Sequence, residues 1–211
     1  MKKTATIIKQ MLAIHTVDSV PGLYYIDDVF SAADCGTIVK NLDACQRWTP
    51  LTGSKNSRMV QHYGYIYDYT SGKVDQKCDP IPNFLTPMRD VLQYICSELK
   101  LMDEKYEFNQ CIVNNYEPGQ GISRHVDAAA YGHVIGCYTL GSGATMMFTS
   151  PNSETHAVYV QPGSLYLMVG DKNTLNARYD WSHQMDGRKS DVVNGKRVPR
   201  GRRISVTFRN V

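Results

Sequence analysis

From Glu107 onward the chain is cut into short extended pieces, and this punctuation limits the fold more than any other feature. Segments 108–116, 122–127, 133–140, 144–148, 156–160, 164–169 and 202–209 are β-prone, with turns at Pro118-Gly119, Gly141-Ser142-Gly143, Pro151-Asn152 and Pro162-Gly163. Many short strands closed by Pro/Gly turns predict a sandwich or barrel. Helical periodicity is confined to the first half. Ser31 caps a predicted helix with Ile38, Val39 and Leu42 on its apolar face, and Met88 to Leu99 repeats at Met88, Val91, Leu92, Ile95 and Leu99. Leu23 to Ile26, after the break at Pro21-Gly22, reads as a first strand. Helices early and strands late predict a mainly β fold, with flanking helices buttressing one outer sheet.

A chain of 211 residues suits one domain. Residues 1–19 read as an N-terminal arm or helix, with Ile7, Ile8, Met11, Leu12 and Ile14 at helix-like spacing, and 20–211 as the domain proper. No run approaches about 18 apolar residues, so no membrane span is expected. Six cysteines without a Cys-x-x-Cys pair read as reduced thiols of an intracellular protein, cytoplasmic or nuclear, rather than as a disulfide framework. A net charge of +3 is compatible with a polyanionic partner without demanding one.

The chemistry concentrates in Asn114-Asn115-Tyr116-Glu117-Pro118-Gly119-Gln120-Gly121-Ile122-Ser123-Arg124-His125-Val126-Asp127. Side chains two apart on a strand share a face, about 6.6 Å apart along it, so His125 and Asp127 can reach one ion. Asn114 and Tyr116 share a face by the same parity. The bland alternative is a surface histidine near a surface aspartate. A third ligand is needed, and His183, in Tyr179-Asp180-Trp181-Ser182-His183-Gln184, suits that place better than His62, His133 or His156. Two histidines and a carboxylate leave positions open on iron for a co-substrate and dioxygen.

The last segment alternates: Arg203, Ser205, Thr207 and Arg209 fall on one face, Ile204, Val206 and Phe208 on the other. Arginine offers planar, permanently charged recognition of carboxylates, so a dicarboxylate could use Arg203 and Arg209; the alternative is an edge strand with solvated arginines. Arg58 to Tyr69 places Tyr63, Tyr65, Tyr67 and Tyr69 on alternate positions. This is either a half-exposed tyrosine ladder or a stacking surface for a base, with Arg58 beside it for phosphate. The basic run 196–203 reads as a solvated loop or as a binding patch.

Taken together, Asn114-x-Tyr116, His125-x-Asp127, His183 and Arg203-x-Ser205-x-Thr207-x-Arg209 resemble the AlkB family of Fe(II)/2-oxoglutarate dioxygenases over residues 20–211. They look most like the branch that hydroxylates wobble uridines of transfer RNA. The resemblance implies a double-stranded β-helix (jelly-roll) core, with His125, Asp127 and His183 holding Fe(II). It implies that Arg203 pairs with the distal carboxylate of 2-oxoglutarate, helped by Asn114, Tyr116 and Ser205, and that Arg209 lies near the carboxylate at the metal. It makes segment 58–69 a nucleotide-recognition lid, with Arg58, Tyr63 and Tyr65 as substrate contacts. Two positions depart from repair members: Ser205 replaces an asparagine, and Ala129 replaces an acidic residue that would face a cationic base.

The expected activity is therefore hydroxylation of a substituent on a nucleobase, with O2 and 2-oxoglutarate as co-substrates, by a monomer acting on RNA in preference to DNA. The rivals are oxidative demethylation of N-alkylated bases in DNA or RNA, a protein or small-molecule hydroxylase on the same core, and a binding module without iron chemistry.

Overall fold

Arg203–Arg209, strand β16, lies between β9 (Val134–Gly141) and β7 (Gln110–Tyr116) and pairs with both, so Ser205 faces Thr139 on one side and Asn114 on the other. The structure is a computed structural model that describes residues 14–54, 57–171 and 173–211. Every strand pairing among these is antiparallel. The large sheet continues outward through β12 (Leu165–Val169), β2 (Leu23–Ile26) and β1 (Ile14–Thr16) beyond β9, and through β4 (Met59–Tyr63) and β3 (Thr49–Pro50) beyond β7. A second sheet orders β11 (Thr155–Val160), β10 (Ala144–Thr149), β13 (Ser182–Met185) and β8 (Ile122–His125). Two hairpins stand apart, β5 (Tyr65–Ile66) with β6 (Gln76–Lys77) and β14 (Ser190–Val193) with β15 (Lys196–Pro199).

The predicted alternation of the last strand holds, and it divides the core. Ile204, Val206 and Phe208 join Tyr138, Leu140, Leu165 and Leu167 on one face of the large sheet. Against them pack α1 (Ala32–Ala44), through Cys35, Ile38 and Leu42, and α2 (Thr86–Glu98), through Met88, Leu92, Ile95 and Cys96. Ser31 caps α1 as expected, its Oγ accepting from the Asp34 amide at 3.2 Å. Each such fully buried side chain contributes about 1.5–3 kcal/mol. On the other face Ile135, Cys137, Tyr166 and Met168 meet Met146, Phe148 and Met185 of the four-stranded sheet. The polar residues of β16 (Arg203, Ser205, Thr207 and Arg209) share a pocket with His125, Asp127 and His183.

One expectation is corrected. The core is not a jelly-roll. It is a mixed α/β fold of several antiparallel sheets, and none closes into a barrel. The physical reason is in the hydrogen-bond ladders: the large sheet ends at β1 and β3 and the smaller at β11 and β8, with no strand pairing among the described residues joining one sheet to the other. The N-terminal arm or helix expected over residues 1–19 lies mostly outside the described residues; of it, Ile14–Thr16 form an edge strand paired to Tyr24–Ile26. All six cysteines are free. No helix among the described residues is long and apolar enough to cross a membrane.

Candidate active site

Strands β8 and β13 pair with His125 directly opposite His183. This register brings the two rings to 4.2 Å between centroids. Asp127 follows just past the end of β8, its Oδ2 3.6 Å from His183 Nε2. One ligand atom from each of His125, Asp127 and His183 lies within 4.8 Å of the others. The other three histidines considered for the third ligand are engaged elsewhere. His62 Nδ1 accepts from the Tyr67 amide, His133 meets the Leu101 carbonyl, and His156 packs on Trp181.

The donor set fits a metal. His125 Nδ1 lies 2.8 Å from the Ser123 carbonyl, so it carries the proton and leaves Nε2 as the ligand atom. Burial, reinforced by the charges of His125, Arg209 and Arg178, pushes the His183 imidazole down to about 3, which keeps it in the neutral form that ligates. Burial opposes ionisation of Asp127, but Arg209 and the two imidazoles outweigh it and hold the carboxyl well below the usual range. Arg209 takes only one carboxylate oxygen: its Nε and Nη2 donate to Asp127 Oδ1 at 3.0 and 2.8 Å. Asp127 Oδ2 is left buried without a hydrogen-bond partner, and a cation is the partner it lacks. Two imidazoles and one carboxylate with positions left open are the ligand set of non-haem Fe(II) oxygenases.

The two arginines of the last strand therefore divide their work. Arg209 sits on Asp127 rather than on a free co-substrate position, its guanidinium 4.8 Å over the Tyr131 ring. Arg203 has no carboxylate partner among the described residues. It is buried, its Nη2 donates to Thr139 Oγ1 at 3.1 Å, and its Nε has no partner. Arg203 and the three metal-site residues line one inner pocket with Asn114, Tyr116, Ser205 and Thr207, closed by Cys137, Met146, Tyr166 and Met168. Asn114 Nδ2 lies 3.5 Å from Ser205 Oγ, and Asn114 Oδ1 accepts from Arg58 Nε at 2.9 Å.

A wider pocket opens outward from His125 and Asp127, walled by Tyr67, Tyr69 and Tyr131 and rimmed by Arg58 and Arg124. Tyr67 and Tyr69 pack edge to face at 4.9 Å. The Tyr131 hydroxyl is buried without a partner. Asp127 is the sole carboxylate among the described residues lining this pocket, and Ala129 is exposed and does not line it. The tyrosine ladder does not run as expected. Gly64 has φ +78°, and a Cβ there would lie 1.9 Å from the Asn109 carbonyl, so the chain kinks at a position that suits glycine alone. Tyr63 thus turns into the helix-side core at 2% exposure and bonds Gln61. Tyr65 packs against the cluster between the sheets and does not line the mouth. Of the named substrate contacts only Arg58 reaches it.

Sequence reading missed Arg178, which is 1% exposed. It donates to the carbonyls of Gly132, Asp127, Ala128 and Tyr131 at 2.8–3.2 Å, pinning the loop that leaves the metal aspartate. Nothing local marks it, because its acceptors are main-chain oxygens. Tyr166 and Met168 were readable by parity from the core-facing Leu165 and Leu167.

This assembly is an Fe(II)/2-oxoglutarate-dependent oxidoreductase site. The profile of the 2OG-Fe(II) oxygenase superfamily matches residues 22–209, and the chain belongs to that family. Within it the chain is AlkB-like and related to the ALKBH8 branch. It is 31% identical over 219 residues to the mouse tRNA (carboxymethyluridine(34)-5-O)-methyltransferase ALKBH8, covering 90% of this chain and 30% of that protein. It is 42% identical over 159 residues to an uncharacterized protein of Acanthamoeba polyphaga mimivirus, covering 73% of this chain and 70% of that one. The chain thus spans less than a third of the length of the mouse relative. Among solved structures, that of OsALKBH1 superposes with a TM-score of 0.65 at 19% identity, over 94% of this chain and 100% of that one. A Pseudomonas putida prolyl-4-hydroxylase superposes with a TM-score of 0.55 at 15% identity, over 91% and 94%. At such identities the likeness is one of fold.

Proposed function

We propose that this oxygenase oxidises a carbon substituent on a neutral nucleobase in RNA, with transfer RNA the first class to test. The observation that carries the reading is the outer pocket. It reaches the His/Asp/His cluster, has three tyrosines for a planar ring, has guanidinium groups at its rim, and offers no carboxylate beyond the metal ligand. A cationic N-methylated base would gain from a facing carboxylate, so its absence disfavours that repair chemistry. The ALKBH8 relatives are named for action on transfer RNA, which points the same way.

His125, Asp127 and His183 would hold the iron. Together with 2-oxoglutarate and dioxygen, bound iron supplies the oxidising power to attack an unactivated C–H bond. The chain does the positioning. Arg203, with its partnerless Nε, would bind the far carboxylate of the diacid, and Asn114, Tyr116 and Ser205 would line its path. Arg209 keeps Asp127 ionised and oriented, so the ligand stays a carboxylate. Tyr131 and Tyr67 would hold the base against His125, and the packed inner wall of Met146, Met168 and Tyr166 excludes water behind it. Succinate formation stimulated by bulk tRNA, and absent in His183→Ala, is the expected result. Mass spectrometry of tRNA and of methylated oligonucleotides tests the choice of base; product from the methylated oligonucleotides alone refutes it.

A further inference from the structure

Residues 184–200 hold five arginines and lysines against two aspartates, a surplus of three that equals the net charge of the whole chain. One pair in the segment is internal. Arg200 and Asp191 form a bidentate ion pair, Nη2 to Oδ1 at 2.7 Å, with 6% and 2% of their side chains exposed. Arg200 Nη1 also donates to the Asp186 carbonyl at 2.6 Å. This clamp ties the β14–β15 hairpin to the end of β13, the strand that carries His183. The hairpin turns tightly at Asn194-Gly195, with φ of +50° and +76°. It is therefore a rigid projection fixed relative to the metal site.

The outside of this projection is basic. Lys189, Lys196 and Arg197 are exposed and have no carboxylate partner among the described residues, whereas Arg47, Arg89, Arg188 and Arg202 are each ion-paired. The surface beside the mouth is grooved. Residues Gly121–Arg124 and Gln184–Gly187 line a shallow trough that shares Arg58, Ile122, Ser123 and Arg124 with the tyrosine pocket. Asp186, its one carboxylate among the described residues, is occupied by Arg188 and by Gln184 Nε2 at 2.8 Å. Gly121 lets the two strands close up here, since a Cβ would lie 2.2 Å from the Met185 carbonyl.

We infer that the β14–β15 hairpin, with Lys189, Lys196 and Arg197, is a phosphate-binding rail that holds the nucleic-acid strand flanking the nucleotide in the pocket. The inference rests on the proposed nucleic-acid substrate and goes further, by naming where the strand leaves the mouth. The trough ends at Gly187, two residues before Lys189, and three cations without a carboxylate partner among the described residues, on and just before a fixed hairpin, suit a repeating anion. They carry no base-reading group, so the contact is independent of sequence.

Binding of a labelled single-stranded RNA to the full chain, followed by anisotropy across a salt series, tests it. Each phosphate contact on a single strand contributes about −0.7 to the slope of log K against log salt, so neutralising three should flatten the slope by about 2. The variant is Lys189→Gln, Lys196→Gln, Arg197→Gln, checked for folding by thermal melting. The control is Lys40→Gln, Lys100→Gln, Lys105→Gln, which removes the same charge on and beside the helices of the opposite face and should keep the wild-type slope. A wild-type slope in the hairpin variant overturns the rail while leaving the nucleic-acid reading intact. Equal flattening in both variants also overturns it, since bulk charge would then suffice. No binding by the wild type removes the substrate reading itself. A hairpin variant that loses polyglutamate binding but keeps RNA binding overturns the rail in favour of an acidic protein partner.

Discussion

The Arg209–Asp127 pair is the sharpest test of how the metal site is built. In Arg209→Gln the buried carboxylate loses both donors to its Oδ1, which now stand at 3.0 and 2.8 Å, with the two side chains only 10% and 6% exposed. Removing one partner of a buried pair costs about 3–5 kcal/mol. For a chain of this size 1 kcal/mol moves Tm by about 2–4 °C, so the metal-free variant should melt roughly 6–20 °C below the wild type. Metal replaces the missing positive charge, and saturating Mn(II) should recover part of the loss. Affinity for the metal should still fall about 10–100-fold, because the guanidinium orients the ligand.

The sign with pH follows from Asp127. Burial alone would raise its carboxyl, and Arg209 with the imidazoles holds it below its unfolded value. Its contribution to wild-type stability is present above the unfolded pKa of about 3.9 and is lost as pH falls through the lower folded value. Without Arg209 the folded value rises, so the deficit of the variant should be largest near neutrality and shrink on acidification. Calorimetry of the metal-free proteins and anaerobic Mn(II) titration are the assays. An unchanged Tm without metal, or a deficit that grows as pH falls, would refute the argument.

Two further outcomes are expected. Arg203→Met should raise KM for 2-oxoglutarate tenfold to a hundredfold, the value of a hydrogen bond to a charged group at about 1.5–3 kcal/mol, without changing Mn(II) affinity; a co-substrate KM that stays put rules out the assigned role. Arg178→Met should strand the carbonyls of Asp127, Ala128, Tyr131 and Gly132, at about 1–3 kcal/mol for each buried acceptor left unmet, and hydrogen exchange at 127–133 should accelerate before that of β16 does. Uniform acceleration would mean the clamp is not local.

What could be read from residues alone was whatever backbone geometry repeats. Period two put Arg203, Ser205, Thr207 and Arg209 on one face and Ile204, Val206 and Phe208 on the other, and the structure keeps that division. The cap at Ser31 marked the start of α1, and the repeat over Met88 to Leu99 falls on α2, Thr86–Glu98. His125-x-Asp127 with His183 named the metal group because strand parity brings two of the three together locally. Partners across space carried no such mark. Asp127 takes Arg209 and leaves Arg203 free only because β16 lies under the metal loop. Arg178 grips carbonyls that any sequence would supply. Tyr63 leaves the tyrosine face because Gly64 must clear a carbonyl 45 residues on. The sheets remain open because their edges do not meet, a matter of tertiary packing that no run of alternating residues encodes.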